Sequence, residues 1–300
     1  MDYFNTLESK SIKELGNEFI NRLITIKTNS SKNVILSGFH KLDAVTNGFK
    51  PADLILVSGA EGMGKTSFTV SLIRKMTIEN KYSTVFFSLQ LTSAQVMSAI
   101  ISQQTKIPAE KFRNNNLNPK ETELVVQKTQ EYEDIPLYTY DYPFLTVSNI
   151  KEILECSPPD FADIIIIDSL QLMAKNKKDK AAKVLNKREL TKITFKLKKL
   201  AVKFNVTILL ITDIHLKSKK QFMRPLLSDI RKYAPIETHA DLVLFLYRPE
   251  YYKIEEWDDE EPTPTNGEAE IIIAKNNNGI LDNVRVKFNG HFGMFDNLSS

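Results

Sequence analysis

The chain has 300 residues, 42% of them hydrophobic and 26% charged, enough apolar material for one large α/β domain or two small ones. A formal net charge of +3 proves no polyanion partner, and the single cysteine, Cys156, excludes an internal disulfide and a cysteine-based metal cluster. His40, His215, His239 and His291 lack metal-ligand spacing, no stretch is long and apolar enough to span a bilayer, and the start Met1-Asp2-Tyr3-Phe4-Asn5 lacks a secretory pattern, so a reducing, cytoplasmic setting is expected.

Taken in chain order, Ser11 to Lys27 carries Ile12, Leu15, Phe19, Ile20, Leu23, Ile24 and Ile26, mostly on one helical face. Polar residues Thr28 to Asn33 follow. The expected organisation is a linker helix and tether over 1–34 and one larger domain over 35–300. From Ser37 the pattern alternates. Strands are expected at 54–58, 84–88, 136–139, 163–168, 207–212 and 241–247, and helices at 65–78, 93–104, 119–131, 146–155 and 186–204. Such alternation signals a mainly parallel, twisted sheet flanked by helices. A polar, acidic, proline-containing loop spans 254 to 266. Then Glu268 to Ala274 and Asn283 to Phe288 read as a C-terminal β-hairpin around Asn276-Asn277-Asn278-Gly279.

Between the first expected strand and helix lies Gly59-Ala60-Glu61-Gly62-Met63-Gly64-Lys65-Thr66, the pattern G-x-x-x-x-G-K-T. Glycines let the backbone curl so that several N–H groups face one anion, and the helix N-terminus adds its dipole. The cradle is expected over Gly59, Ala60, Glu61, Gly62, Met63, Gly64, Lys65, Thr66 and Ser67, with Lys65 reaching the β and γ phosphates of ATP and Thr66 ligating Mg²⁺. A chance match in a turn is the bland alternative. Only 10 of the 300 residues are glycine, which makes three at the right spacing hard to attribute to accident. Ile164-Ile165-Ile166-Ile167-Asp168 is an apolar strand ending in a carboxylate. Alone it means little; paired with the loop, Asp168 becomes the expected second half of a Mg-ATP site.

Lys175, Lys177, Lys178, Lys180, Lys183, Lys187 and Arg188 crowd one segment, and Lys217, Lys219, Lys220 and Arg224 another. A charge run is usually a solvated face, but two basic loops on a nucleotide-binding domain suit a nucleic-acid groove equally well. Asp258, Asp259, Glu260 and Glu261 form an acidic patch elsewhere.

Further runs carry a resemblance. They are Ser37-Gly38-Phe39-His40-Lys41-Leu42-Asp43, Phe86-Phe87-Ser88-Leu89-Gln90-Leu91, Ile166-Ile167-Asp168-Ser169-Leu170-Gln171-Leu172-Met173, Arg224-Pro225-Leu226-Leu227-Ser228-Asp229-Ile230-Arg231, Ala240 to Arg248 and Glu270 to Lys275. With the glycine loop among them in order, residues 37 to 298 resemble the C-terminal, RecA-like P-loop ATPase domain of DnaB-type replicative helicases. The helix at 12–27 resembles that family's linker helix, which docks on a neighbouring subunit; no counterpart of its collar domain, which contacts primase, is expected within these 300 residues. The resemblance implies a homo-oligomeric ring, commonly a hexamer, with ATP and Mg²⁺ between subunits and single-stranded DNA in the channel. It also implies replication partners such as a loader or a full-length helicase, and no membrane. Lys177, Lys178, Lys180, Lys187, Lys219, Lys220, Arg224, Arg231 and Lys232 would contact DNA phosphates. Lys65, Gln90, Asp168, Asp213 and Lys275 fall at catalytic positions.

Four departures bear on activity. Gln90 stands where the family usually has the Glu that polarises the attacking water, and an amide positions water without taking its proton. Asp213 stands where a Gln usually senses the γ-phosphate; repulsion of ATP and replacement of the missing carboxylate are both open. The usual Lys-x-Arg finger reads Lys275-Asn276-Asn277. The usual Arg-Glu-Ser-Gly of a DNA-contacting segment reads Arg231-Lys232-Tyr233-Ala234. The leading expectation is a replicative helicase motor coupling hydrolysis to translocation. The alternative is a paralogue of reduced activity that acts as a nucleotide-dependent DNA-binding or assembly module. A self-phosphorylating RecA-like ATPase fits the domain plan, but the helicase-like runs speak against it.

Overall fold

The computed structural model describes residues 11–17, 20, 34–174, 185–214 and 222–298. The chain divides into two units, Met1–Val34 and Ile35–Ser300. In the first, 12–17 and 20 are helical. Ser11 and Glu14 cap this helix reciprocally, Glu14 N–H donating to Ser11 Oγ (3.2 Å) and Ser11 N–H to Glu14 Oε2 (2.7 Å). Ile12, Leu15 and Ile20 are exposed. The rest of the helix expected to Lys27 lies outside the described residues.

Among the described residues the second unit has nine strands: β1 (Leu54–Gly59), β2 (Thr84–Ser88), β3 (Leu137–Tyr140), β4 (Ile164–Asp168), β5 (Thr207–Asp213), β6 (Leu242–Tyr247), β7 (Glu268–Asn276), β8 (Asn283–Asn289) and β9 (Met294–Asp296). They form one sheet in the order β3-β2-β4-β5-β1-β6-β7-β8-β9. Pairing is parallel from β3 to β6 and antiparallel from β6 to β9. The central strands are continuous apolar runs because helices cover both faces. Ile55, Val57, Ile164 and Ile166 enter one core cluster; Leu54, Leu56, Ile165 and Ile167 enter the other.

The helices are α1 (His40–Thr46), α2 (Lys65–Ile73), α3 (Ser93–Thr105), α4 (Ala109–Arg113), α5 (Pro119–Gln130), α6 (Val147–Cys156), α7 (Lys187–Phe204) and α8 (Leu227–Tyr233). Capping boxes start α3 (Thr92, Gln95), α5 (Asn118, Glu121), α6 (Thr146, Asn149) and α7 (Asn186, Glu189). In α7, Leu190, Ile193, Leu197 and Leu200 are buried at helical spacing, and Asn205 ends the helix in the left-handed conformation at φ 50°.

The helix expected over 65–78 changes character at its end. Arg74–Glu79 is π-wound, with Asn80 N–H bonded to the Lys75 carbonyl five residues back (3.2 Å). Arg74 and Lys75 are buried there, both paired with Asp296 of β9 (3.2 and 2.7 Å). The hairpin thus extends into a third antiparallel strand that ties the chain's last described segment to α2. Among the described residues no helix is long and apolar enough to cross a membrane.

The order β4-β5-β1 decides where chemistry gathers. Three parallel strands end side by side, so Asp168, Asp213 and Gly59 meet at the C-terminal ends of these central strands.

Candidate functional site

A cleft of about 560 Å³ opens at those strand ends, lined by the glycine loop, Gln90, Asp168, Asp213, Arg248 and residues of the C-terminal strands. Gly62 and Gly64 have φ of 81° and 82°, a region closed to most side chains. A Cβ on Gly62 would lie 2.3 Å from the Tyr251 ring, so this loop also has no room there for a side chain. Gly64 is the N-cap of α2, whose first turn faces the cleft with Lys65, Thr66 and Ser67. Met63 points the other way: it is 1% exposed and joins the core, which anchors the loop. Gly59 and Ala60 supply carbonyls rather than lining, while Glu61 stands at the cleft wall.

Lys65 Nζ donates to the carbonyls of Gly59 (3.0 Å) and Ala60 (2.8 Å) and pairs with Asp213 Oδ1 (2.9 Å). These three oxygens match its three donors. Thr66 Oγ1 donates to Asp168 Oδ2 at 2.9 Å. Asp168 is 2% exposed, and its Oδ1 is buried with no partner among the described residues. Burial pushes the Asp168 carboxyl up to about 6; the Thr66 hydrogen bond opposes this, nearby Asp213 adds to it, and Lys65 opposes it weakly. A buried carboxylate oxygen without a partner, beside a hydroxyl and a phosphate-type loop, has the hard oxygen chemistry that suits Mg²⁺.

Gln90 is exposed in the loop after β2, its Nε2 donating to Ser169 Oγ at 3.3 Å. Gln171 Nε2 donates to Thr212 Oγ1 (2.8 Å) and the Asp213 carbonyl (3.1 Å), holding the end of β5.

The sequence pattern missed one wall of the cleft. Arg248 follows β6, its guanidinium 3.7 Å over the Phe288 ring, with Nη1 donating to the Gly62 carbonyl at 3.0 Å. Burial lowers its pKa from the ordinary arginine range. Gly290 and Gly293 complete this wall. Arg248 closes the run Ala240 to Arg248 that carries the family resemblance, and the strand order, which puts β6 beside β1, brings it to the cleft.

The remaining expected residues lie elsewhere. Lys275 pairs with Val243 early in β6, at the end of that strand away from the cleft, and its Nζ donates to the carbonyls of Glu237 (3.0 Å) and Ala240 (2.6 Å). It does not enter its own chain's cleft. Lys177, Lys178, Lys180, Lys219 and Lys220 lie outside the described residues. Lys187 Nζ donates to the Lys232 carbonyl (2.7 Å); Lys232 is exposed, and Arg231 pairs with Glu237 (2.8 Å) while remaining largely exposed.

Arg224, expected to contact DNA, has partners within its own chain. Its Nε meets Glu270 (2.5 Å), its Nη1 meets both oxygens of Asp258 (2.7 Å), and it lies over the rings of Tyr247 and Trp257. The guanidinium thus finds its hydrogen-bond partners inside the chain. The acidic patch, expected to stand apart, supplies this partner; its Asp259 also pairs with Arg285 (2.6 Å).

Residues 34–297 match the family model described as the DnaB-like helicase C terminal domain. A probable replicative DNA helicase of Trieres chinensis is 31% identical over 299 residues, covering 97% of this chain and 64% of the relative. A replicative DNA helicase DnaB of Haemophilus influenzae is 30% identical, covering 94% and 59%. The chain therefore spans less than two thirds of the length of these relatives. Among solved structures, a DnaB-like replicative helicase, described together with its interactions with primase, superposes with a TM-score of 0.78 at 24% identity. The match covers 97% of this chain and 68% of that one, a likeness that concerns the fold.

Proposed function

Since the chain belongs to the DnaB-like helicase C-terminal domain family, we propose that it is an ATP-binding motor domain of DNA replication that couples hydrolysis to movement along single-stranded DNA. The observation that carries this reading is the convergence of Lys65, Thr66 and Asp168 at one cleft behind a loop whose two left-handed glycines leave backbone N–H groups free to face an anion.

In this reading the backbone of residues 62–66 and the Lys65 ammonium hold the β and γ phosphates. Thr66 and Asp168 hold Mg²⁺, which when bound neutralises phosphate charge. Arg248 and Phe288 give the cleft a flat cationic-aromatic wall against which a purine can rest. Gln90 orients water and leaves the proton without a strong local base. The position of Lys275, beside the start of β6 and away from its own cleft, supports a role toward a second copy of the chain, in a ring that we take to be a hexamer. DNA contacts are assigned to Lys187, Arg231 and Lys232, joined by Lys177, Lys178, Lys180, Lys219 and Lys220. A loader or a full-length helicase would be the natural replication partner.

The Lys65–Asp213 pair favours a second reading, in which hydrolysis is slow and nucleotide binding mainly drives DNA binding or assembly. Anisotropy of a labelled single-stranded oligonucleotide tests the DNA assignment. Binding should be indifferent to sequence, weaken steeply with salt as released counterions dictate, and depend on nucleotide in the wild type but not in Lys65→Ala. Absence of binding at low salt would remove DNA from the proposal.

A further inference from the structure

We propose that Asp213 makes this cleft discriminate against a nucleoside triphosphate in favour of the diphosphate, a preference that rests on the cleft being a nucleotide site. The carboxylate occupies the place where the third phosphate would seek its cation. β5 lies between the strand carrying Asp168 and the strand leading into the glycine loop, and Asp213 is in register with Gly59. Its Oδ1 is 2.9 Å from Lys65 Nζ, whose other two donors serve the Gly59 and Ala60 carbonyls.

The strand end cannot retreat freely. Gln171 holds the Asp213 carbonyl and the Thr212 hydroxyl, and Ile214 N–H donates to the Gly59 carbonyl (3.2 Å). The diphosphate finds most of its ligands in loop N–H groups, which Asp213 does not contact. A γ-phosphate needs Lys65 as well. Either Asp213 keeps the lysine and faces the γ-phosphate as a like charge, or it swings toward solvent, for which its one-third exposed side chain leaves a path, and forfeits the ion pair. Both routes penalise the triphosphate more than the diphosphate. At the separations of neighbouring groups in a partly solvated cleft, one such like-charge contact corresponds to roughly 10- to 100-fold in affinity.

The test is equilibrium titration of the full chain, with Mg²⁺, using fluorescent ADP and a fluorescent non-hydrolysable ATP analogue. Wild type, Asp213→Asn, Asp213→Gln and Lys65→Ala are compared. Wild type should bind the diphosphate at least ~10-fold more tightly, and both Asp213 variants should tighten the triphosphate analogue by about that factor while moving the diphosphate by less than about 3-fold. The wild-type ratio needs no variant to fold, and melting curves establish that the variants do. Equal affinities in wild type, parallel changes in the variants, or weaker triphosphate binding without Asp213 would overturn the proposal. If neither nucleotide bound wild type more tightly than Lys65→Ala, the nucleotide reading itself would fall and the preference with it.

Discussion

Asp168→Asn should stabilise the nucleotide-free protein at neutral pH, although it removes a residue assigned to the site. Asp168 is 2% exposed, accepts one hydrogen bond from Thr66, and leaves Oδ1 buried and unpartnered. Its carboxyl is pushed from 3.8 to about 6 in the fold. A group so raised resists ionisation in the folded state. Its contribution is most favourable below pH 3.8 and is lost as pH rises through 6. A gap of about two units corresponds to roughly 3 kcal/mol of penalty above pH 6. Asn cannot ionise, but its amide places an unpaired N–H near the former Oδ1, costing about 1 kcal/mol. The net gain is about 2 kcal/mol, or ~4–8 °C in melting temperature for a domain of this size. Thermal melts of both proteins without nucleotide or Mg²⁺, from pH 4 to 8, check this. The variant's advantage should appear at pH 7–8 and vanish toward pH 4. Equal stability at pH 7.5, or an advantage independent of pH, would refute the electrostatic account. If Asp168 holds Mg²⁺ as proposed, adding Mg-nucleotide should then favour wild type, because only a carboxylate would ligate the metal there.

The remaining predictions concern the loop, the water and the arginine cluster. Gly62→Ala should cost about 1–3 kcal/mol and weaken nucleotide binding, since its Cβ would meet Tyr251 at 2.3 Å and its φ of 81° is strained for alanine; adding Tyr251→Ala should recover part of the loss, and a cycle with no coupling would contradict the clash. Gln90→Glu should raise hydrolysis by at least ~10-fold by restoring a proton acceptor, and an unchanged rate in single-turnover assays would place the defect elsewhere. Arg224→Ala should lower stability in urea by about 3 kcal/mol, because it strands the buried Glu270, with Glu270→Gln restoring part of the loss; a fall in DNA affinity at unchanged stability would contradict this structural role and support Arg224 as a DNA ligand.

What the sequence revealed follows the range of the interactions concerned. The Ile164–Ile167 run, buried on both faces, announces a central strand, and the glycine spacing announces its loop because backbone conformation is a local property. The capping residues of α3, α5, α6 and α7 are equally local. The π-wound end of α2 was not legible, since Arg74 and Lys75 are drawn to Asp296, more than two hundred residues away. The cleft wall of Arg248 and Phe288 depends on β6 lying beside β1 and on the hairpin folding back. Arg224 reads as one more basic loop residue until Asp258 and Glu270 are brought to it. Asp213 stood open between repulsion and replacement, and its contact with Lys65 gives that question a geometry.

ATP turnover by the purified chain, with and without single-stranded DNA and with Lys65→Ala as the blank, tests the motor assignment most directly. Turnover above the blank that rises on adding DNA is the result expected of a domain that couples hydrolysis to movement. Turnover at the level of the blank, unchanged by DNA, would contradict it and leave the cleft as a binding site alone.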